Sequence, residues 1–379
     1  MTPSWPSSRV AILTHQFRGG PFASLGIALA RGLRESGVAE VDLVYMELPP
    51  VRSLPEGVRA VPLGRGRSSL APFAIADFLS KRRPQLFISM PAIVNLAAVP
   101  AWLMARLPDT TLIVSDHTTM SYSCWVEHRD QLKLRFMPPL ARILYPRASG
   151  VHSVSTGVLD DLLHTIGVQI PPDRRAVIPN AIELDRVRLM SRIVPDHPWL
   201  ERPRQIPVVL AVGRLQPVKN YPLLLDVVER VRRRMPMRLI VLGEGGERRR
   251  LEEEIRRRRL EDAVALLGVA ENPYGYMAAA DALVLASVQE GFALVLVEAM
   301  ACGAPVVATA TSGAVDIVRP GSGEVVPLGD ADAMADALAR ILEDPSAAAA
   351  LREGGNRRAE DFAPKVVAQR WLAFAESIR

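Results

Sequence analysis

Four side chains in the second half of the chain have the types and spacing to hold a charged, hydroxyl-rich ligand. Glu290 and Glu298 stand eight residues apart and bracket an apolar stretch that continues to Gly303-Ala304-Pro305. Glu290 follows a strand-like run, Asp281 to Ser287, which predicts a loop at the strand's carboxyl edge. Glu298 then falls inside the next helix. In an open α/β sheet that edge is where ligands bind. One carboxylate in the loop and one on the helix can grip two parts of one polar ligand. The helix N-terminus between them suits an anion. The cations come from Val212-Gly213-Arg214-Leu215-Gln216-Pro217-Val218-Lys219-Asn220, just after another strand-like run. Gly213 permits a tight exit from the strand. Arg214 can fork two oxygens of an anion while Lys219 meets it as a mobile point charge.

The elements that must position these residues read as alternating strands and helices, the pattern of a parallel sheet. In the first half, strands are predicted at Arg9 to Thr14, Val41 to Met46, Leu86 to Ser89, Thr111 to Ser115 and Gly150 to Val154. Helices are predicted over Phe22 to Glu35, Phe73 to Lys81 and Ile93 to Arg106. A Pro-rich stretch from Ile170 to Pro207 interrupts the pattern, which then restarts at Val208. The expected organisation is therefore a domain over 1–175, a second over 176–360, and a final helical segment, 361–379.

Composition narrows the function. The chain has 379 residues, 49% of them hydrophobic and 23% charged, which suits a globular protein of two domains. No apolar run is long enough for a membrane span, and the polar N-terminus lacks the apolar core of a signal peptide, so a cytoplasmic protein is expected. Two cysteines, Cys124 and Cys302, provide neither a disulfide framework nor a metal spacing. Asp330-Ala331-Asp332 precedes a helical run and reads as a helix start rather than a metal site. No Gly-x4-Gly-Lys-Ser/Thr loop exists, which argues against an ordinary P-loop NTPase. Arg248 to Arg259 mixes arginines with glutamates and reads as a solvated helix face, with no nucleic-acid motif beside it. Residues 1–175 carry 19 Lys and Arg against 13 Asp and Glu, whereas the remainder carries 27 against 28. Within that basic half, His128 to Arg147 interleaves cations with Leu132, Leu134, Phe136, Met137 and Leu140, a surface that could meet anionic lipid, with Pro138-Pro139 expected to interrupt a simple helix.

The Glu290-Gly291-Phe292 and Glu298-Ala299-Met300-Ala301-Cys302-Gly303-Ala304-Pro305 context resembles the donor-site signature of retaining GT-B glycosyltransferases of family four, the "glycosyl transferases group 1" proteins. Gly213-Arg214-Leu215 with Lys219-Asn220 matches the same family's basic motif. The resemblance implies an α/β protein of GT-B architecture, with two Rossmann-like domains facing each other across a cleft and the last helix crossing back to the first domain. It implies transfer of a hexosyl unit from a nucleotide-diphosphate sugar, UDP-sugar favoured and GDP-sugar next, to a glycan, lipid-linked or small-molecule hydroxyl, with retention and without metal or resident cofactor. Arg214 and Lys219 would stabilise the leaving diphosphate. Glu290 would contact the transferred sugar and Glu298 the ribose hydroxyls. Backbone amides of Gly291, Phe292, Ala293 and Leu294 would help to hold the donor. Gly19-Gly20, after the first strand, matches the family's N-terminal glycine loop. His117, in Ser115-Asp116-His117, matches a histidine that reaches the donor sugar; Asp116 and His15 are weaker candidates beside it. Gly243-Glu244-Gly245 would wall the nucleotide pocket, with Gly268 and Val269 near the base. Ala293 stands where the family most often has glycine, which bears on donor preference. Sugar-nucleotide epimerases, sugar phosphorylases and non-catalytic sugar-nucleotide binders are the alternative readings. The membrane contact, if made, would be peripheral and through the basic first domain.

Overall fold

A computed structural model of the chain describes residues 8–14, 21–46, 54–64 and 71–379. The chain divides into two compact units, Met1–Ile182 with Phe362–Arg379, and Glu183–Asp361. Each is built on one parallel sheet.

The first sheet holds β1 (Arg9–Thr14), β2 (Glu40–Tyr45), β3 (Val58–Pro62), β4 (Leu86–Ser89), β5 (Thr111–Asp116), β6 (Gly150–Ser153) and β7 (Arg175–Val177), in the order β3-β2-β1-β4-β5-β6-β7. Its central strands read as unbroken apolar runs because helices cover both faces. Val10, Ile12, Ile88 and Ile113 pack on one face and Ala11, Leu13, Phe87, Leu112 and Val114 on the other. The Pro21–Glu35 helix opens on a proline, whose missing N–H is no loss at the first helical position. It buries Leu25, Ala28, Leu29 and Leu33 along one stripe. The C-terminal helix, Pro364–Ser377, packs on it within the same unit and adds Val367, Trp371 and Leu372 to that core. The two helices cross at Gly32, where a Cβ would stand 2.0 Å from the Pro364 carbonyl oxygen.

The second sheet holds β8 (Val208–Val212), β9 (Arg238–Leu242), β10 (Val264–Gly268), β11 (Ala282–Leu285), β12 (Val306–Thr309) and β13 (Glu324–Val326), in the order β10-β9-β8-β11-β12-β13. The order reverses between β8 and β11, as it does between β1 and β4 in the first sheet. Loops leaving two such neighbours diverge and open a crevice for a ligand.

One expectation needs correction. The first unit extends to Ile182 rather than to residue 175, because Arg175–Val177 pairs with β6 and Ile182 N–H donates to the Phe362 carbonyl. That strand, three residues long, is too short to show an apolar pattern. As expected, the helical run is interrupted at Pro138-Pro139: one short helix ends at Arg135, and both prolines lie in the first turn of the next, Met137–Leu144, where no intrahelical N–H is required.

Candidate active site

In the second unit the loop after β8 is shaped by glycines. Gly213 N–H donates to the Leu242 carbonyl at 2.9 Å, and the Tyr221 hydroxyl donates to the Gly213 carbonyl at 2.7 Å. A Cβ on Gly213 would lie 3.2 Å from Lys219 Cε, so the bare Cα lets the lysine stem run close to the turn. A Cβ on Gly243 would stand 1.9 Å from the Gly213 carbonyl oxygen. Glycine at 243 is therefore what allows the loops after β8 and β9 to touch. Gly243 N–H in turn donates to the Gly268 carbonyl at 2.7 Å, tying in the loop after β10.

Lys219 then meets Glu290. Its Nζ donates to Glu290 Oε1 at 2.6 Å, with the two side chains 20% and 13% exposed. The Ser287 hydroxyl donates to the same oxygen, also at 2.6 Å. The contact spans 71 residues of sequence. It forms because β8 and β11 are neighbours at the reversal of strand order, and each residue follows one of them. Gly313 N–H and the Ser312 hydroxyl hold the Glu290 carbonyl at 3.1 and 3.2 Å, which pins the loop to the next helix. Arg214 lies on the same loop as Lys219, exposed, with no ion-pair partner among the described residues. Among the described residues the arrangement offers an unpaired guanidinium, an ammonium held by one carboxylate oxygen, and a carboxylate whose Oε2 accepts no hydrogen bond.

Glu298 sits on the Leu294–Ala301 helix, half-buried, and accepts a hydrogen bond from the Tyr274 hydroxyl at 3.2 Å. Burial raises its pKa, while the Tyr274 bond and the charge of Arg186 pull it back. Cys302 at the end of the helix is pushed up to about 12 by burial and by Glu298, which makes it a packed thiol. The expected ring of free amides is narrower than the motif implies: Leu294 N–H is spent on the Phe292 carbonyl at 3.0 Å. Ala293 has φ −83°, which any L-residue adopts, and it is buried beside Phe292, so its methyl is tucked into the protein. Val269 is 76% exposed and follows Gly268, whose φ of +80° lies in the left-handed region. Asp330 caps the Ala331–Glu343 helix by accepting from Ala333 N–H at 2.9 Å, and Asp332 pairs with Arg230 at 2.5 Å. Among the described residues no group of three or more His, Cys, Asp or Glu side chains is arranged to hold a metal.

In the first unit His117 follows β5 and is buried. Its Nε2 lies 3.0 Å from the Ser115 hydroxyl, which lies 2.7 Å from His152 Nδ1. His152 Nε2 is 2.7 Å from the Ile178 carbonyl oxygen, and its ring lies against Trp371 at 4.2 Å between centroids. Burial lowers the pKa of His117 to about 4 and that of His152 to about 3. Asp116 does not orient His117. It points to the opposite face of the sheet and accepts from the Tyr145 hydroxyl at 3.2 Å, and burial raises its carboxyl to about 7. Gly19, Gly20 and His15 lie outside the described residues.

Two family profiles match the chain: "Glycosyltransferase Family 4" over residues 27–186 and "Glycosyl transferases group 1" over residues 196–358. A Campylobacter jejuni protein, N-acetylgalactosamine-N,N'-diacetylbacillosaminyl-diphospho-undecaprenol 4-alpha-N-acetylgalactosaminyltransferase, is 32% identical over 264 residues, 69% of this chain and 68% of that protein. The chain belongs to glycosyltransferase family four. A D-inositol 3-phosphate glycosyltransferase of Saccharomonospora viridis is 34% identical over 55% of this chain, a match spanning about half (51%) of that relative. The Anabaena HepE structure, solved with UDP and glucose, superposes with a TM-score of 0.74 at 22% identity over 97% of this chain and 98% of that one. A Rickettsia africae glycosyltransferase superposes with 0.75 at 16% identity over 98% of each chain. These likenesses establish the GT-B fold.

Within this glycosyltransferase the structure brings Lys219 and Glu290 together, and among the described residues neither Arg214 nor Glu298 makes an ion pair or hydrogen bond to them. Sequence reasoning missed Ser287, Tyr274, Ser115 and His152. Ser115 and Ser287 each end or follow a strand just before a candidate residue, a position that could have drawn attention to them. Tyr274 and His152 carry no local signal, because their roles arise from neighbours 24 and 37 residues away.

Proposed function

We propose that this glycosyltransferase moves a hexosyl unit from a nucleotide-diphosphate sugar, UDP-sugar before GDP-sugar, to a glycan or lipid-linked hydroxyl with retention of anomeric configuration. The observation that carries the reading is the Lys219–Glu290 contact across β8 and β11, with unpaired Arg214 on the same loop. Breaking the bond between the anomeric carbon and the diphosphate leaves negative charge on phosphate. Fixed cations there stabilise the transition state more than the ground state. Lys219 is held by one oxygen of Glu290, so it stands ready where the diphosphate arrives, and Glu290 Oε2 remains for a sugar hydroxyl. Glu298 accepts from the ribose hydroxyls. In a front-face transfer the new bond to the acceptor oxygen forms on the side the phosphate leaves, and the acceptor proton passes to that phosphate. No carboxylate base is then required, and Arg214 and Lys219 take the part of a divalent ion. The donor is a co-substrate; no resident cofactor is invoked.

HepE, of the same fold, is seen with UDP and glucose, and the Campylobacter relative is named for a diphospho-undecaprenol acceptor. A lipid-linked acceptor fits a surface of the first unit, where Trp125, Leu132, Phe136, Leu140 and Ile143 are exposed beside Arg135 and Arg142. None of the described helices is long and apolar enough to cross a membrane, so contact through this face would be peripheral, on the cytoplasmic side.

Thermal-shift titration with UDP, GDP and ADP, and their sugars, tests the donor. UDP should stabilise most; no shift with any of them counts against the whole reading. NMR of the product reports its anomeric configuration, and turnover in EDTA reports metal dependence. Flotation with vesicles containing anionic lipid should retain the wild type and lose a Phe136→Ser, Leu140→Ser variant.

A further inference from the structure

The loop that carries Glu290 is fastened along its backbone, and one of its side chains acts on the carboxylate itself. Ser287, just past β11, is fully buried. Thr309, buried on β12, donates its hydroxyl to the Ser287 carbonyl at 2.6 Å. Val288 N–H donates to the Val218 carbonyl at 2.9 Å, which ties this loop to the one that carries Lys219. Gly313 N–H and the Ser312 hydroxyl hold the Glu290 carbonyl. On this fixed backbone the Ser287 hydroxyl donates to Glu290 Oε1 at 2.6 Å, and Lys219 Nζ meets the same oxygen at 2.6 Å. An ammonium is a point charge on a flexible stem and sets little direction, so alone it would let the carboxylate turn and exchange its oxygens. A hydroxyl on a short, buried side chain has one reach. Both donors fall on Oε1, so among the described residues Oε2 accepts nothing, although a carboxylate has room for about four hydrogen bonds.

We propose that Ser287 is a positioning residue for sugar recognition: it fixes Oε1 of Glu290 on the Lys219 side, so that Oε2 alone is kept for hydroxyls of the transferred sugar. The inference deepens the transferase reading and rests on it for the identity of that ligand. Ser287 is sealed from solvent, so it touches neither sugar nor phosphate and acts only through Glu290. Without its hydroxyl, both carboxylate oxygens can close on the ammonium. Lys219 would still have donors to spare for phosphate, since an ammonium carries three. The sugar would lose its free acceptor. Ser287 therefore separates two duties of one ion pair, the cation for the diphosphate and the second oxygen for the sugar.

Calorimetric titration of the full chain with UDP and UDP-glucose, and with GDP and GDP-mannose, reads the two duties apart. In Ser287→Ala the Kd of the sugar nucleotide should rise about tenfold relative to that of its bare diphosphate, the worth of roughly one hydrogen bond to a charged group. The Kd of the diphosphate itself should stay within about twofold of the wild type, because Lys219 is untouched. Ser287→Thr keeps the hydroxyl and should restore the ratio; a folded threonine variant as poor as alanine overturns the proposal. A merely structural serine would weaken both ligands alike. That outcome, or an unchanged ratio, overturns the positioning role and leaves the transferase reading standing. If Ser287→Ala does not fold, Thr309→Val loosens the same loop by freeing the Ser287 carbonyl and should raise the ratio about two- to threefold. No rise in that folded variant overturns the proposal as well. A wild type that binds none of the four ligands overturns both the inference and the reading beneath it.

Discussion

The two units present opposite electrostatics at the carboxyl edges of similar sheets. In the second, Arg214, Lys219, Glu290 and Glu298 are only partly covered, and the contact between Lys219 and Glu290 joins full charges. In the first, His117, His152, Ser115 and Asp116 are all buried, and burial holds both rings neutral. A diphosphate must be met by charge that stays near water until it arrives, since a fully buried unpaired cation would lose its proton or destabilise the fold. A neutral network of hydroxyl and imidazole carries no such penalty and can be sealed, as it is between β5 and β6. The contrast teaches that how far each edge is sealed decides whether it can hold free charge.

The largest test of that contrast is Arg214→Ala with Lys219→Ala, which should lower kcat/KM by about a thousandfold or more. Near-normal turnover of the double variant would remove the charged site from the argument. Next, Gly32→Ala and Gly243→Ala should each destabilise by about 1–3 kcal/mol or more in urea unfolding, because a methyl has no space at either crossing. The first should lower the transition of one unit and the second that of the other; identical shifts in a single transition would show that the units unfold together. Asp116→Asn sharpens the dry side. The raised carboxyl burdens the fold where it is charged, so its cost is absent below the unfolded pKa near 4 and grows until pH passes about 7. Asparagine keeps the acceptor for Tyr145, so the variant should gain more stability at pH 8 than at pH 5, by about 1–3 kcal/mol. Asp161 and Cys124 are the titratable neighbours that could blur this, and a gain independent of pH would refute it. Glu298→Gln should raise the donor KM about tenfold with kcat little changed, and Tyr274→Phe only a few-fold, since it removes one hydrogen bond to that carboxylate.

Much of the fold was legible because β-branched and aliphatic runs buried on both faces announce parallel strands, as at Arg9 to Thr14 and Val208 to Val212. Short edge strands were not: Val58–Pro62, Arg175–Val177 and Glu324–Val326 are only partly buried and carry mixed residues. Proline at 138 and 139 marked a helix boundary, because the ring is tolerated in a first turn but not in an interior.

By itself the sequence determined the family, the glycine turns, and the residue types that meet phosphate and hydroxyl, because those depend on local spacing after a strand. Only the tertiary structure decided which of them touch. Strand order, reversing between β8 and β11, puts Lys219 on Glu290, and the pairing of β5 with β6 puts Ser115 between two histidines. Neither contact leaves a local signal, because the chain returns to the same sheet edge only after 71 and 37 residues. Burial, which sets the charge of each ring and carboxyl, likewise belongs to the packed structure.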